Sequence, residues 1–214
     1  MIKVFFTQYS AFDIPPACPL SAYRRAKLSQ TNQEQNAKQV TTEFVLLKSL
    51  RTVDDDVSIP MNIQTNEYGK PFIPGYPFHF NISHSDDLII CGISDMEIGV
   101  DCQTVDTNSN IEGIIKRFFT PDEQSYVLSG SPSSTPELRT NNLELRTRFT
   151  ELWTLKESYI KALGTGGATP LESFSVLKPI PGYSFYHNKA GNYHYAICVN
   201  SDIFPEDLKF EKLN

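Results

Sequence analysis

One stretch, Phe149-Thr150-Glu151-Leu152-Trp153-Thr154-Leu155-Lys156-Glu157-Ser158-Tyr159-Ile160-Lys161, constrains the fold more than any other part of this chain. Leu152, Leu155, Tyr159 and Leu163 recur at three- and four-residue spacing, which predicts an amphipathic helix. Gly164 follows as a C-terminal stop, with Lys161 in the last turn. On another face, Glu157 and Lys161 stand four apart, so their side chains are neighbours. A carboxylate and an ammonium at that spacing are most often a surface ion pair, and the helix alone defines no site. Trp153, the only tryptophan, is expected to anchor the helix in the core.

A second element gives the helix a chemical context. Glu97-Ile98-Gly99-Val100-Asp101-Cys102-Gln103 reads as a strand, with Ile98, Val100 and Cys102 on one face and Asp101 and Gln103 on the other. Two oxygen-bearing side chains on a strand face, joined by a glutamate from a helix, suit a hard divalent cation. Magnesium prefers such ligands, keeps several waters and bridges to phosphates.

A chain of 214 residues can bury a sizeable core as one domain or two small ones. Its longest apolar runs, such as Leu88-Ile89-Ile90-Cys91, are far short of the ~20 residues a membrane helix needs. The opening Met1-Ile2-Lys3-Val4-Phe5-Phe6 reads as a strand and not as a signal peptide. Cys18, Cys91, Cys102 and Cys198 show no metal-binding spacing, which fits buried thiols in a reducing cytosol. A formal charge of −6 argues against non-specific nucleic-acid binding, though a local basic cluster still suits an acidic ligand.

Along the chain, residues 2–8 predict a strand, and Arg24, Arg25 and Lys27 form a basic cluster. A helix follows from Gln35 to Arg51, with Ala37, Val40, Thr41, Phe44 and Leu47 as its buried stripe. Asn66 to Pro71 has the chemistry of a turn. Phe78 to Ser83 and Leu88 to Ser94 predict a hairpin around Asp86-Asp87. Ile111 to Phe119 reads as a helix, and Thr120-Pro121-Asp122-Glu123 as the start of another, with Thr120 and Glu123 forming a capping box. Ser129 to Asn142 reads as a surface loop. Gly164-Thr165-Gly166-Gly167 is a helix terminus and turn, not a phosphate loop. Phe174 to Leu177, Tyr183 to His187 and Tyr193 to Val199 predict strands, the last two joined through Asn188 to Asn192.

Five segments taken in order resemble the 4′-phosphopantetheinyl transferases of the larger, Sfp-type class. They are Gly69-Lys70-Pro71; Phe80-Asn81-Ile82-Ser83-His84-Ser85; Gly99-Val100-Asp101; Arg117-Phe118-Phe119-Thr120-Pro121-Asp122-Glu123; and Trp153-Thr154-Leu155-Lys156-Glu157-Ser158-Tyr159-Ile160-Lys161. The resemblance implies an α+β fold of two similar α/β halves related by a pseudo-twofold axis, with the active site at their interface. The halves would be residues 1–105, with the coenzyme A nucleotide contacts, and 106–214, with the catalytic helix and carrier-protein contacts.

The implied reaction moves the 4′-phosphopantetheine arm of coenzyme A onto a serine hydroxyl of an acyl or peptidyl carrier protein and releases 3′,5′-ADP. Mg2+ would be held by Asp101, Gln103 and Glu157, and Lys161 would neutralise a phosphate oxygen. Arg24, Lys27, Lys38, Lys70, Pro71, Ser83 and His84 would hold coenzyme A, with Arg24 and Lys27 at its 3′-phosphate. The class often has arginine early in the second helix and glutamate where Gln103 stands. Here Gln39 and Lys38 occupy the first position. Glu123 has two readings, general base and helix cap. The carrier would dock on Thr104 to Gln124 and the Ser129–Asn142 loop, helped by Lys116, Arg117 and Phe118 or Phe119. A monomeric, cytoplasmic enzyme of fatty-acid or secondary-metabolite synthesis is implied. The alternative is a catalytically weak relative that only binds coenzyme A or its carrier.

Overall fold

In the computed structural model, residues 1–9, 19–30, 32–105, 110–129 and 143–213 are described. Strand β1 (Ile2–Gln8) has apolar side chains on both faces because it is central in a sheet covered on both sides. β2 (Gln64–Thr65) and β3 (Pro71–Phe72) form a small separate pair. β4 (His79–Ser85) and β5 (Leu88–Ser94) are the expected hairpin, turning at Asp86 with a positive φ of 48°. The first sheet runs β4-β5-β1-β9, where β9 (Leu208–Lys212) lies parallel to β1 and the other pairs are antiparallel. The second sheet is antiparallel and runs β6-β8-β7, from β6 (Ile98–Thr104), β8 (Tyr193–Val199) and β7 (Ser184–Ala190).

The sheets pack face to face through Ile2, Val4 and Ile90 of the first and Ile98, Val100, Cys102 and Ile197 of the second. After the short α1 (Ala22–Arg25), helix α2 (Gln33–Leu50) covers the outer face of the first sheet, where Phe44 and Leu47 meet Phe5, Ile89 and Ile93. Helix α5 (Leu143–Leu163) covers the outer face of the second. Between them in sequence, α3 (Ile111–Phe118) and α4 (Pro121–Leu128) pack on α5 through Ile115, Phe119, Val127 and Leu152. The layers are helix, sheet, sheet, helix, an α+β architecture.

The two sheets are also stitched at their edges. β4 ends the first sheet and β6 the second, and polar side chains of β4 replace a backbone ladder between them. Asn81 Oδ1 accepts Val100 N–H at 2.9 Å, Ser83 Oγ accepts Cys102 N–H at 3.3 Å, and Ser85 Oγ accepts Thr104 N–H at 3.1 Å. The Asn-x-Ser-x-Ser alternation of residues 81–85 thereby satisfies donors that an edge strand would leave unpaired.

Several expectations change. A cut at residue 105 does not separate the sheets: β6 lies before it yet belongs to the second sheet, and β9 lies after it yet belongs to the first. Helix α5 begins at Leu143, and its buried residues are Leu145, Arg146, Thr150, Leu152, Thr154, Lys156, Ser158, Ile160 and Ala162, whereas Leu155, Tyr159 and Leu163 are only partly buried. The helix is enclosed on more than one side, so its polar face is buried too, and Thr150 and Thr154 return their hydroxyls to carbonyls one turn back. In α2, Ala37 is exposed while Glu43 is buried. Residues 174–177 form no strand, because Phe174 O and Val176 N–H bond to Lys156 and Glu123 instead. Of the predicted loops, residues 106–109 and 130–142 lie outside the described residues. Cys91, Cys102 and Cys198 are free and buried, and Cys18 lies outside.

Candidate active site

Gly99 sets the approach of α5 to β6. A Cβ there would stand 2.0 Å from Ser158 O and 2.3 Å from Ala162 N, so only glycine lets the helix backbone come this close. The approach brings Lys161 onto the strand, where its Nζ lies 2.6 Å from Asp101 Oδ1 and donates to Ser83 Oγ at 3.0 Å. Ser83 in turn donates to Asp101 Oδ1 at 2.8 Å. Three elements, β4, β6 and α5, thus converge on one carboxylate oxygen. Asp101 Oδ2 has no partner among the described residues.

Glu157 stands one turn before Lys161. Burial pushes its carboxyl above the usual carboxylate range, the Asp101 charge adds to the rise, and Lys161 opposes it. It makes no hydrogen bond or ion pair among the described residues. A half-buried carboxylate without a partner, beside a second carboxylate, favours a cation. Gln103 lies on the same strand face as Asp101, half-buried, with His194 as its cross-strand neighbour. No group of three or more His, Cys, Asp or Glu residues gathers as a complete metal cage among the described residues. The hard oxygen donors of Asp101 and Glu157 nevertheless fit magnesium, which is commonly held by one or two carboxylates together with substrate phosphates.

Glu157 and Lys161 line a cleft of about 540 Å³, with Asn81, Pro71, Arg117 and Phe118 on its other walls. Phe118 packs edge-on against Trp153, and the Arg117 guanidinium lies 5.0 Å from the Phe118 ring centre. Phe119 is core, 2% exposed. Lys116 is exposed on α3.

A second cleft of about 200 Å³ gathers Arg24, Lys27, Gln39 and His84, with Asn81 and Pro71 shared between the two clefts. Arg24 is buried and held from behind: its Nε donates to Glu43 Oε2 at 3.2 Å and its Nη1 to Gln39 Oε1 at 2.6 Å. Glu43, 3% exposed, also accepts Ser21 N–H. Sequence reading passed over Glu43, although a charge inside an apolar stripe requires a partner. Gln39, at the position where arginine was expected, orients Arg24. Lys27 lies 4.2 Å from the Tyr23 ring centre. His84 remains exposed, yet partial desolvation and then Lys161, Lys38 and Arg24 hold its pKa below the ordinary histidine value.

Three predicted residues have other partners: Lys38 and Glu123 line neither cleft, while Lys70 lines the active-site cleft. Lys38 pairs with Glu34 on the surface at 3.0 Å and does not line the cleft. Lys70 Nζ bonds Glu97 Oε2 at 2.5 Å and Ala162 O at 2.9 Å, tying the Gly-Lys-Pro turn to the end of α5. Glu123 is fully buried; Lys156, equally buried, donates to its Oε1 and Oε2 at 2.9 and 2.6 Å. Thr120 N–H and Val176 N–H complete its bonds. This carboxylate caps α4 and neutralises a buried lysine; it has no face open to a substrate hydroxyl. The remaining histidines lie apart, His79 on Glu97 at 3.1 Å and His187 against His194 at 3.0 Å.

An arginine-lined cleft beside two carboxylates and a helix-borne lysine has the charges that suit a phosphorylated ligand. Residues 97–208 match the family model of the 4′-phosphopantetheinyl transferase superfamily. The 4′-phosphopantetheinyl transferase Sfp of Bacillus subtilis (strain 168) is 32% identical over 205 residues, covering 88% of this chain and 86% of that protein. Another 4′-phosphopantetheinyl transferase of Bacillus subtilis is 34% identical over 161 residues, 73% of this chain and 66% of the relative. The 4′-phosphopantetheinyl transferase gsp of Aneurinibacillus migulanus is 33% identical over 156 residues, 72% and 60% respectively. The chain belongs to the 4′-phosphopantetheinyl transferase superfamily, in its Sfp-type class.

Proposed function

We propose that this enzyme transfers the 4′-phosphopantetheine arm of coenzyme A to a serine of a carrier protein. The observation that carries the reading is the convergence of Ser83, Asp101 and Lys161, with Glu157 unpartnered among the described residues and lining the same cleft as Lys161. The serine oxygen attacks the phosphorus bearing the pantetheine arm, and the bond from that phosphorus to the bridging oxygen breaks. The electron pair leaves with 3′,5′-ADP. Lys161 neutralises charge on the transferred phosphoryl oxygens. Glu157, whose carboxyl burial and the Asp101 charge hold above the usual carboxylate range, accepts the serine proton. It takes over the base role once read for Glu123, whose oxygens are fully engaged. Asp101 and Glu157, with Gln103 alongside, would hold magnesium, which would supply neutralisation of the diphosphate charge.

Arg24, Lys27 and His84 serve the nucleotide and its 3′-phosphate, and Pro71 bounds both clefts. The carrier, an acyl or peptidyl carrier protein, approaches over α3, where Arg117 and Phe118 form the rim and Lys116 is exposed. Helix α2 on the first sheet and α5 on the second support a reading of two similar halves that exchange β6 and β9. One chain supplies every side chain named, in keeping with a monomer. Among the described residues no helix is long and apolar enough to cross a membrane.

The test is the intact mass of apo-carrier proteins incubated with the enzyme, coenzyme A and magnesium. A gain of one phosphopantetheine arm, absent when the carrier serine is changed to alanine, is expected. Coenzyme A binding without a mass gain on any carrier would replace transfer with the binding-only reading.

A further inference from the structure

Asn81 lies between the two clefts and lines both. It is 6% exposed, and its Oδ1 accepts Val100 N–H at 2.9 Å. A backbone N–H can only donate, so the amide atom facing it is the oxygen, and the amide nitrogen is turned away from β6. Nδ2 has no acceptor among the described residues. One buried hydrogen bond therefore fixes the amide plane and leaves its two N–H donors for whatever occupies the space shared by the clefts.

We infer that Asn81 binds coenzyme A directly, its amide donating to a diphosphate oxygen where the ligand passes from the nucleotide cleft to the active-site cleft. This rests on the coenzyme A reading above. With the 3′-phosphate beside Arg24 and the reacting phosphorus beside Glu157 and Lys161, the diphosphate passes the junction that Asn81 borders. A neutral donor is suited to that place. It meets an anionic oxygen without a mobile cation, and its position is preset by the bond to Val100. The same residue thus joins the sheet seam to the ligand, and its two ends do separable work.

The strand pair itself provides the matched variant. Serine already spans β4 and β6 at Ser83 and Ser85, so Asn81→Ser can keep an acceptor for Val100 N–H while replacing the two amide N–H donors with one shorter hydroxyl. Titration calorimetry with coenzyme A and magnesium is the measurement, read with the melting temperature and with kcat at saturating coenzyme A. Wild-type melting, a coenzyme A Kd raised on the order of tenfold and a much smaller change in kcat are expected. Asn81→Asp also keeps the acceptor and opposes the phosphate with charge, so it should bind more weakly still; it decides the matter if Asn81→Ser fails to fold. Wild-type affinity in both variants, or a fall in kcat with unchanged affinity, overturns the direct contact. No coenzyme A binding by the unaltered protein would overturn the coenzyme A reading and this inference with it.

Discussion

Lys156 reaches both carboxylate oxygens of Glu123, at 2.9 and 2.6 Å, and both side chains are fully buried. The pair joins α4 to α5 and to the segment around Phe174 and Val176. Burial lowers the lysine pKa, and Glu123 opposes that shift. Removing one partner strands the other charge in the core, at about 3–5 kcal/mol. Lys156→Met and Glu123→Gln should each lower stability on that order in urea titrations, whereas the double substitution should recover part of the loss. If Glu123→Gln instead kept full stability and lost turnover, Glu123 would be the base after all.

Lys161 contributes charge where the phosphoryl group must pass, and it is partly exposed, so its loss should be felt in rate more than in folding. Lys161→Met is expected to lower kcat about 100-fold or more, with a melting temperature within a few degrees of wild type. A rate within threefold of wild type would make the Lys161–Asp101 contact structural only.

Glu157 ties pH to both activity and stability. As the base it must be ionised, so kcat should rise with pH along an acid limb that belongs to Glu157. Glu157→Gln should abolish that limb and most of the activity. Its effect on stability runs the other way. The folded carboxyl holds its proton more tightly than the unfolded one, so its contribution falls as pH rises from the unfolded value through the raised folded value. The two profiles, measured on wild type and variant, separate the base from a bystander; an acid limb that survives in Glu157→Gln belongs to another group.

How far the sequence can be read depends on where a residue's partner lies. The pattern foretells β6 and β4 by their one apolar face, and β5 as a short apolar run just past the Asp86-Asp87 turn. It misjudges α5, whose lysine and serine are buried by partners far along the chain. It passes over β9, where Leu208-Lys209-Phe210-Glu211-Lys212 is too polar to read alone and becomes a strand by pairing with β1. In the site, Asp101, Glu157 and Lys161 are legible from strand and helix spacing together. Glu43, which holds Arg24, and the locked state of Glu123 are not, since each is settled by a contact between separate elements.

Gln103 shares the strand face of Asp101 but brings an amide where a carboxylate would add a negative charge. Gln103→Glu should lower the magnesium concentration for half-maximal activity severalfold, because carboxylate charge raises affinity for a hard cation. An unchanged magnesium dependence would take residue 103 out of the ligand set and leave Asp101 and Glu157 with water and phosphate.

Gly99 tests whether the distance between strand and helix makes the site. Its missing side chain lets α5 lie on β6, and an added methyl would meet helix backbone, which cannot rotate aside as a side chain could. Gly99→Ala should therefore push the helix outward, lowering stability by about 3 kcal/mol or more and separating Lys161 from Asp101. Gly113, in α3, is the control: a methyl there meets nothing within 4 Å, and alanine favours the helix, so Gly113→Ala should be neutral or stabilising by up to ~1 kcal/mol. Turnover measured on the folded fraction completes the comparison. A Gly99→Ala protein that folds with wild-type kcat would show that the site tolerates a looser helix and would remove close packing from the mechanism. A deficit in kcat beyond the loss of folded protein would place Gly99 among the residues that set the charge geometry, though it touches no substrate.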